Sequence, residues 1–211
     1  MKLRSPALLA LVLASTPAAE AEDSGWYVRA IAGYNTLSDE TVRHSTGEFA
    51  GEASFGSGFA GGGAVGYDTG PWRFEGEILY RSADLDRLEA ATGPITEGNY
   101  ASLGFGANVL YSFNLFGTDR ATSYVGGGLV FLQEIDIDFE TPEENSFSGD
   151  EFGYQLILGA EYDFGARWSG FAEYRWFDAG DPDLDAEGDA LGTVNVDYAN
   201  QALLFGVRYD F

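Results

Sequence analysis

Trp72-Arg73-Phe74-Glu75-Gly76-Glu77-Ile78-Leu79-Tyr80-Arg81-Ser82 is the stretch on which the fold turns. Trp72, Phe74, Ile78 and Tyr80 fall on every second position, and Arg73, Glu75, Glu77 and Arg81 fall between them. A helix would scatter these residues around its circumference. A strand sends successive side chains to opposite faces and so separates bulky apolar groups from charges completely.

The same period recurs on either side of it. Trp26 to Asn35 sets Trp26, Val28, Ala30, Ala32 and Tyr34 against Tyr27, Arg29, Ile31 and Gly33, and Phe59 to Tyr67 is a glycine-rich second segment. Ala101 to Phe113, Tyr124 to Gln133, Phe152 to Phe164, Trp168 to Phe177 and Ala199 to Phe211 repeat the alternation, which predicts eight strands. Their connections alternate between short (Asp68-Thr69-Gly70-Pro71, Asn114 to Thr122, Gly165-Ala166-Arg167) and long. An even strand number with alternating short turns and long loops is the asymmetry of a transmembrane barrel, with short turns in the periplasm.

Volume decides which face looks inward. An eight-stranded barrel encloses only enough space for side chains to fill. Four or five large apolar groups per strand do not fit there. The opposite face carries Gly33, Gly62, Gly104, Gly106, Gly126, Gly128, Gly159 and Gly206 with a few charges, and it does. The apolar face therefore meets lipid. Its aromatics recur eight residues apart: Trp26/Tyr34, Trp72/Tyr80, Tyr154/Tyr162 and Trp168/Trp176. Eight residues tilted in a barrel span about 20 Å of the membrane normal, close to the separation of two aromatic girdles. The expected fold class is all-β, an eight-stranded antiparallel up-and-down transmembrane barrel of the outer membrane.

Ahead of the barrel, Met1-Lys2-Leu3-Arg4, the apolar run Ala7 to Ala14 and Ala19-Glu20-Ala21 form the pattern of a secretory signal peptide. Residues 1–21 are expected to be cleaved, leaving 22–211 as the barrel domain. Without Lys2, Arg4 and Glu20 the chain keeps 33 acidic residues, nine Arg and no Lys. Such a surface excludes nucleic acid as a partner. Cysteine is absent, so the fold holds without disulfides.

The chain ends Gly206-Val207-Arg208-Tyr209-Asp210-Phe211. Glycine followed by alternating aromatics and a terminal Phe resembles the signal read by the barrel-assembly machinery, with Gly206, Tyr209 and Phe211 as its elements. Leu204 stands where that signal usually has a polar residue. With Tyr124-Val125-Gly126-Gly127-Gly128 and Glu173-Tyr174-Arg175-Trp176-Phe177, the chain resembles the small OmpA/Opa-like barrels, often called the porin family in Gram-negative bacteria. The resemblance covers the whole barrel domain and implies an outer-membrane protein in contact with lipid and lipopolysaccharide.

Several residues are candidates for chemistry. Arg29, Arg73, Arg81, Arg175 and Arg208 share the inner face with Glu75, Glu77, Glu161 and Glu173. Buried charges must pair or be solvated, so a salt-bridged, closed lumen is expected ahead of a narrow porin passing small solutes or ions. Glu75 and Glu77 resemble a catalytic carboxylate pair, but neighbouring Arg residues would keep both ionised, and no catalysis is assigned to them. The excess negative charge lies in the long connections: eight acids and no base in Gln133 to Glu151, seven and none in Asp178 to Asp197. Asp181, Asp183, Asp185, Glu187 and Asp189 have the spacing of a Ca²⁺ loop. Ala186 and Gly192 replace the glycine and glutamate an EF-hand requires. These acids are thus candidates for a weak Ca²⁺ or Mg²⁺ site, with a solvated acidic loop as the default.

Lipopolysaccharide-modifying enzymes also occur among eight-stranded barrels. Here the single histidine reads His44-Ser45-Thr46 and the Asp23-Ser24 pair precedes the first strand, so neither supplies an oriented base for a nucleophile. The sequence reading is a non-enzymatic surface barrel whose surface ligand is unknown.

Overall fold

The computed structural model describes residues 24–37, 40–45, 51–90, 93–95, 98–140, 144–180, 183–187, 192–195 and 198–211. The expected signal peptide lies outside the described residues, as do Asp181 and Asp189. Thirteen strands occur among them: β1 (Trp26–Leu37), β2 (Glu40–His44), β3 (Gly51–Phe55), β4 (Ser57–Thr69), β5 (Trp72–Ala90), β6 (Gly93–Ile95), β7 (Gly98–Phe113), β8 (Ala121–Glu140), β9 (Glu144–Gly165), β10 (Trp168–Gly180), β11 (Asp183–Glu187), β12 (Thr193–Asn195) and β13 (Tyr198–Asp210).

Eight of these close a barrel. β1 pairs with β4, then β5, β7, β8, β9, β10 and β13 follow in antiparallel order, and β13 returns to β1 from Tyr27↔Asp210 to Leu37↔Asn200. Closure satisfies every edge, which a lipid-embedded sheet requires. The backbone N–H of Phe211 adds a bond to Trp26 O at 3.0 Å beyond the last paired residue. In the turn between β9 and β10, Ala166 and Arg167 take φ of 55° and 71°, the left-handed geometry that matches hairpin twist.

Trp72, Phe74, Ile78 and Tyr80 are exposed on the outside, and Arg73, Glu75, Glu77 and Arg81 are buried. Aromatic pairs lock neighbouring strands at one rim: Trp26 with Tyr67 at 5.1 Å, Trp72 with Tyr111 at 5.0 Å and Trp168 with Tyr209 at 4.9 Å. Tyr154 and Trp176, 5.4 Å apart, belong to the opposite girdle.

Three features depart from the sequence expectation. First, the lumen is not lined only by small and charged groups. Ile31, Leu79, Phe171 and Leu204 form an apolar cluster inside it, and Leu110 and Ile157 join Tyr124 in another. The interior glycines make the room: Gly33 pairs with Leu204, and Gly126 with Leu110 and Ile157.

Second, the described residues between Gln133 and Glu151 are strand. β8 and β9 run on to Glu140 and Glu144 as one long hairpin. An irregularity between Leu132 and Ile135 inserts an extra residue, so Leu132 and Ile135 both face inward. Above the bilayer the outward face meets water, so charges replace the aromatics there.

Third, the long connections build strands of their own. β3 pairs with the upper part of β5, β2 with β3, β12 with β2, β11 with β12, and β11 with β9. With β7 and β8 they complete a second, extracellular ring above the first. Its interior is apolar at the mouth: Leu37, Tyr100, Leu132, Ile135, Phe147, Phe177, Leu184 and Val194 pack into a plug across it.

Candidate functional site

The lumen is the site, and strand alternation aims its residues inward from all eight barrel strands. At the periplasmic level, Arg73 Nη1 donates to Glu161 Oε2 at 2.7 Å, and Ser169 Oγ donates to Glu161 Oε1 at 2.9 Å. Arg208 pairs with Asp68 and Asp210 and lies 3.7 Å over the Tyr27 ring. Asp68 also lies 3.6 Å from Arg73 Nε.

One level up, Arg29 donates twice from Nη1 to Glu75, at 2.9 and 3.0 Å, and pairs through Nη2 with Glu173. Arg175 reaches Glu173 from Nε and Nη2 at 3.0 and 2.8 Å, and Glu77 from Nη1 at 2.6 Å. The result is a chain Glu75–Arg29–Glu173–Arg175–Glu77 that crosses from β5 through β1 and β10 back to β5. Gln155 Nε2 donates to Asn108 Oδ1 at 2.7 Å beside it.

Two tyrosines complete the network in the same way. Tyr27 OH donates to Glu75 Oε1 at 2.9 Å, and Tyr124 OH donates to Glu173 Oε1 at 2.8 Å. Each ring lies flat across a glycine of the neighbouring strand: a Cβ on Gly66 would fall 2.2–2.6 Å from Tyr27, and one on Gly159 would fall 2.4–2.6 Å from Tyr124. Only glycine admits the ring.

The structure thus brings together Arg29, Arg73, Glu75, Glu77, Glu161, Glu173, Arg175 and Arg208. Arg81 does not join them. No ion pair is made by its side chain among the described residues, and its guanidinium lies 5.1 Å over the Phe177 ring. Leu79 lies between it and Glu77 on the same face of β5, and Glu77 is committed to Arg175 across the lumen, so Arg81 acts on that carboxylate only through space. Asp68, Asp210, Tyr27 and Tyr124 belong to the network although the charge pattern of the strands omits them. Asp68 reads as a turn residue, and the tyrosines betray themselves only by falling on inward positions.

The remaining candidates lie at the ends. Asp183, Asp185 and Glu187 occupy β11, where Asp183 accepts from Asn195 Nδ2 at 3.0 Å. Among the described residues no group of three or more His, Cys, Asp or Glu side chains is placed to hold a metal ion. His44 is not in an open loop. It is 7% exposed on β2, edge-on to Phe147 at 5.4 Å, and Ser45 Oγ accepts the Thr193 N–H at 2.9 Å. Gly206 faces inward against Phe171, while Tyr209 and Phe211 meet edge to face at 5.4 Å on the lipid side of the periplasmic rim.

The model of the outer membrane protein beta-barrel domain family matches residues 6–211, and the chain belongs to that family. Its fold is similar to that of three solved structures. Neisserial surface protein A is 20% identical, with 90% of this chain and 100% of that chain covered and a TM-score of 0.56. OprG from Pseudomonas aeruginosa is 18% identical over 89% of this chain and 96% of that one, with a TM-score of 0.62. A major outer membrane protein from Thermus thermophilus is 15% identical over 90% and 100%, with a TM-score of 0.64. No curated protein matches the chain in sequence. The protein resides in the outer membrane as an eight-stranded barrel, its aromatic face against lipid.

Proposed function

We infer that this barrel is a non-enzymatic structural and surface-interaction protein with a closed lumen, rather than a porin. The observation that carries the reading is the chain of ion pairs Glu75–Arg29–Glu173–Arg175–Glu77, which spans the barrel with every member buried. Ions passing that level would have to break pairs whose separation leaves uncompensated buried charge. The apolar plug above, with Leu132, Phe147, Phe177 and Leu184, supports the same reading, because an apolar constriction resists wetting. The acidic outer strands present negative charge toward lipopolysaccharide and its bridging cations, the partners such a surface suits.

Single-channel recording of the refolded protein in planar bilayers tests this. The expected record has no steady open state. Sustained ion-selective current from the wild type would make the protein a narrow porin.

A further inference from the structure

Among the described residues Arg81 is a lumen cation that makes no ion pair, although its charge reaches Glu77 through space, and it lies between the two closures. Below it on β5 is Leu79, part of the inner apolar cluster, and then the paired carboxylates. Above it is the plug, to which Phe177 belongs. The side chain is 1% exposed, and Nε and Nη1 are buried without a hydrogen-bond partner. Nη1 approaches the aliphatic side of the chamber: it falls 3.5 Å from where a Gly104 Cβ would stand, and Val130 and Leu132 methyls lie 3.0 and 3.2 Å from the same point.

Three polar groups that register places near it are also unpartnered. Ser102 is the register partner of Arg81 on β7, and its Oγ is buried without a hydrogen-bond partner. Asn200 is the register partner of Phe177, the ring beneath the guanidinium, and its Nδ2 is likewise without one. Asn35 contributes an acceptor, Oδ1, and its Nδ2 is committed to Ser82 O at 3.3 Å. A buried guanidinium with two unpartnered N–H groups, beside a hydroxyl and an amide N–H that are also free to donate, is the recognition chemistry of an anion.

We propose that Arg81, with Ser102 and Asn200, forms a binding site for a small monovalent anion of halide size in the upper lumen. One cation sets the charge, and the apolar walls and two closures set the size. The anion's charge compensates Arg81 in place. The competing arrangement has water alone at Arg81, its charge balancing at long range the third carboxylate of Glu75, Glu77 and Glu173 over Arg29 and Arg175.

The test is crystallographic and thermal, on the full barrel refolded and crystallised in sodium bromide. The expected result is an anomalous bromide peak in hydrogen-bond reach of Arg81 Nε or Nη1. It is accompanied by a saturable rise in Tm with sodium bromide over sodium gluconate at equal ionic strength. Arg81→Met loses both the peak and the bromide-specific rise, and Ser102→Ala weakens the rise. A wild-type map with water and no anomalous signal at Arg81 overturns the proposal, as does an equal bromide-specific rise in Arg81→Met. Should Arg81→Met fail to fold, the wild-type map decides alone.

Discussion

Arg175 on β10 and Glu77 on β5 meet at 2.6 Å across the lumen although 98 residues separate them in the chain. The pair ties opposite walls of the barrel, and both ends are held further: Arg175 by Glu173, and Glu77 by Gln155 Nε2 at 3.5 Å. Removing one partner strands the other in a space that water reaches poorly. Arg175→Ala is therefore expected to cost about 3–5 kcal/mol of stability. Asp185→Ala, on exposed β11, is expected to change it by no more than about 0.5 kcal/mol. Urea titration of the folded fraction, read by the heat-dependent gel shift of barrels, checks both.

The tyrosine-on-glycine contact makes a sharper demand. A methyl group at position 159 collides with the Tyr124 ring and pushes its hydroxyl away from Glu173. Gly159→Ala is expected to destabilise by about 1–3 kcal/mol. In Tyr124→Leu the smaller side chain no longer needs the space, so Gly159→Ala in that background costs less, by at least about 0.5 kcal/mol. Additive losses in the double mutant would show that the ring does not depend on the glycine.

Assembly depends on the last residue. Phe211 donates its N–H to Trp26 O, where the two ends of the barrel meet, and turns its ring to Tyr209 on the lipid side. Deleting Phe211 is expected to slow insertion and leave unfolded protein in the periplasm, measured by fractionation and gel shift. Wild-type levels of the deletion variant in the outer membrane would show that recognition lies elsewhere.

Arg43 holds the narrowest join of the extracellular ring. Among the described residues Val194↔His44 and Asn195↔Arg43 pair β12 with β2, Ser45 N–H donates to Thr193 O at 2.9 Å beside them, and Arg43 reinforces the join by donating to Asn195 Oδ1 from Nε at 3.0 Å and Nη2 at 2.6 Å. Arg43→Ala is expected to speed proteolysis of the outer segments several-fold, consistent with a loss of about 1 kcal/mol. The gel shift of the membrane-embedded barrel is expected to stay unchanged. A loss of the gel shift instead would mean that ring and barrel unfold together.

What the sequence disclosed was whatever depends on neighbours along the chain. Alternation is local, so Trp72 to Ser82 revealed its strand, its lipid face and its charged face together. Pairing across the lumen is not local. Which carboxylate meets Arg29 depends on register and tilt summed around the barrel, and nothing near Arg29 records it. Arg81 shows the limit well, since the alternation that placed it inside could not tell that Glu77 would be committed across the lumen to Arg175. The outer strands were obscured for a different reason. Ile135, Asp136 and Ile137 alternate like any strand, but acids on the water-facing side look like loop composition once the bilayer no longer selects aromatics. β2 and β12 are joined by contacts that span most of the chain, and each is too short to announce itself.

The two-pair join between β2 and β12 also bears on the order in which the molecule is made. β2 is among the first segments of the barrel domain to be synthesised and β12 among the last. The outer ring therefore cannot close while the chain is still threading inward, and the Arg43–Asn195 bond forms only once both ends have arrived on the far side of the membrane. Until then Phe147 and Leu184 have no shared interior to enter, and the segments that will cover them can cross as extended chain. Closing the ring thereby requires segments from both ends of the barrel domain to be in place together.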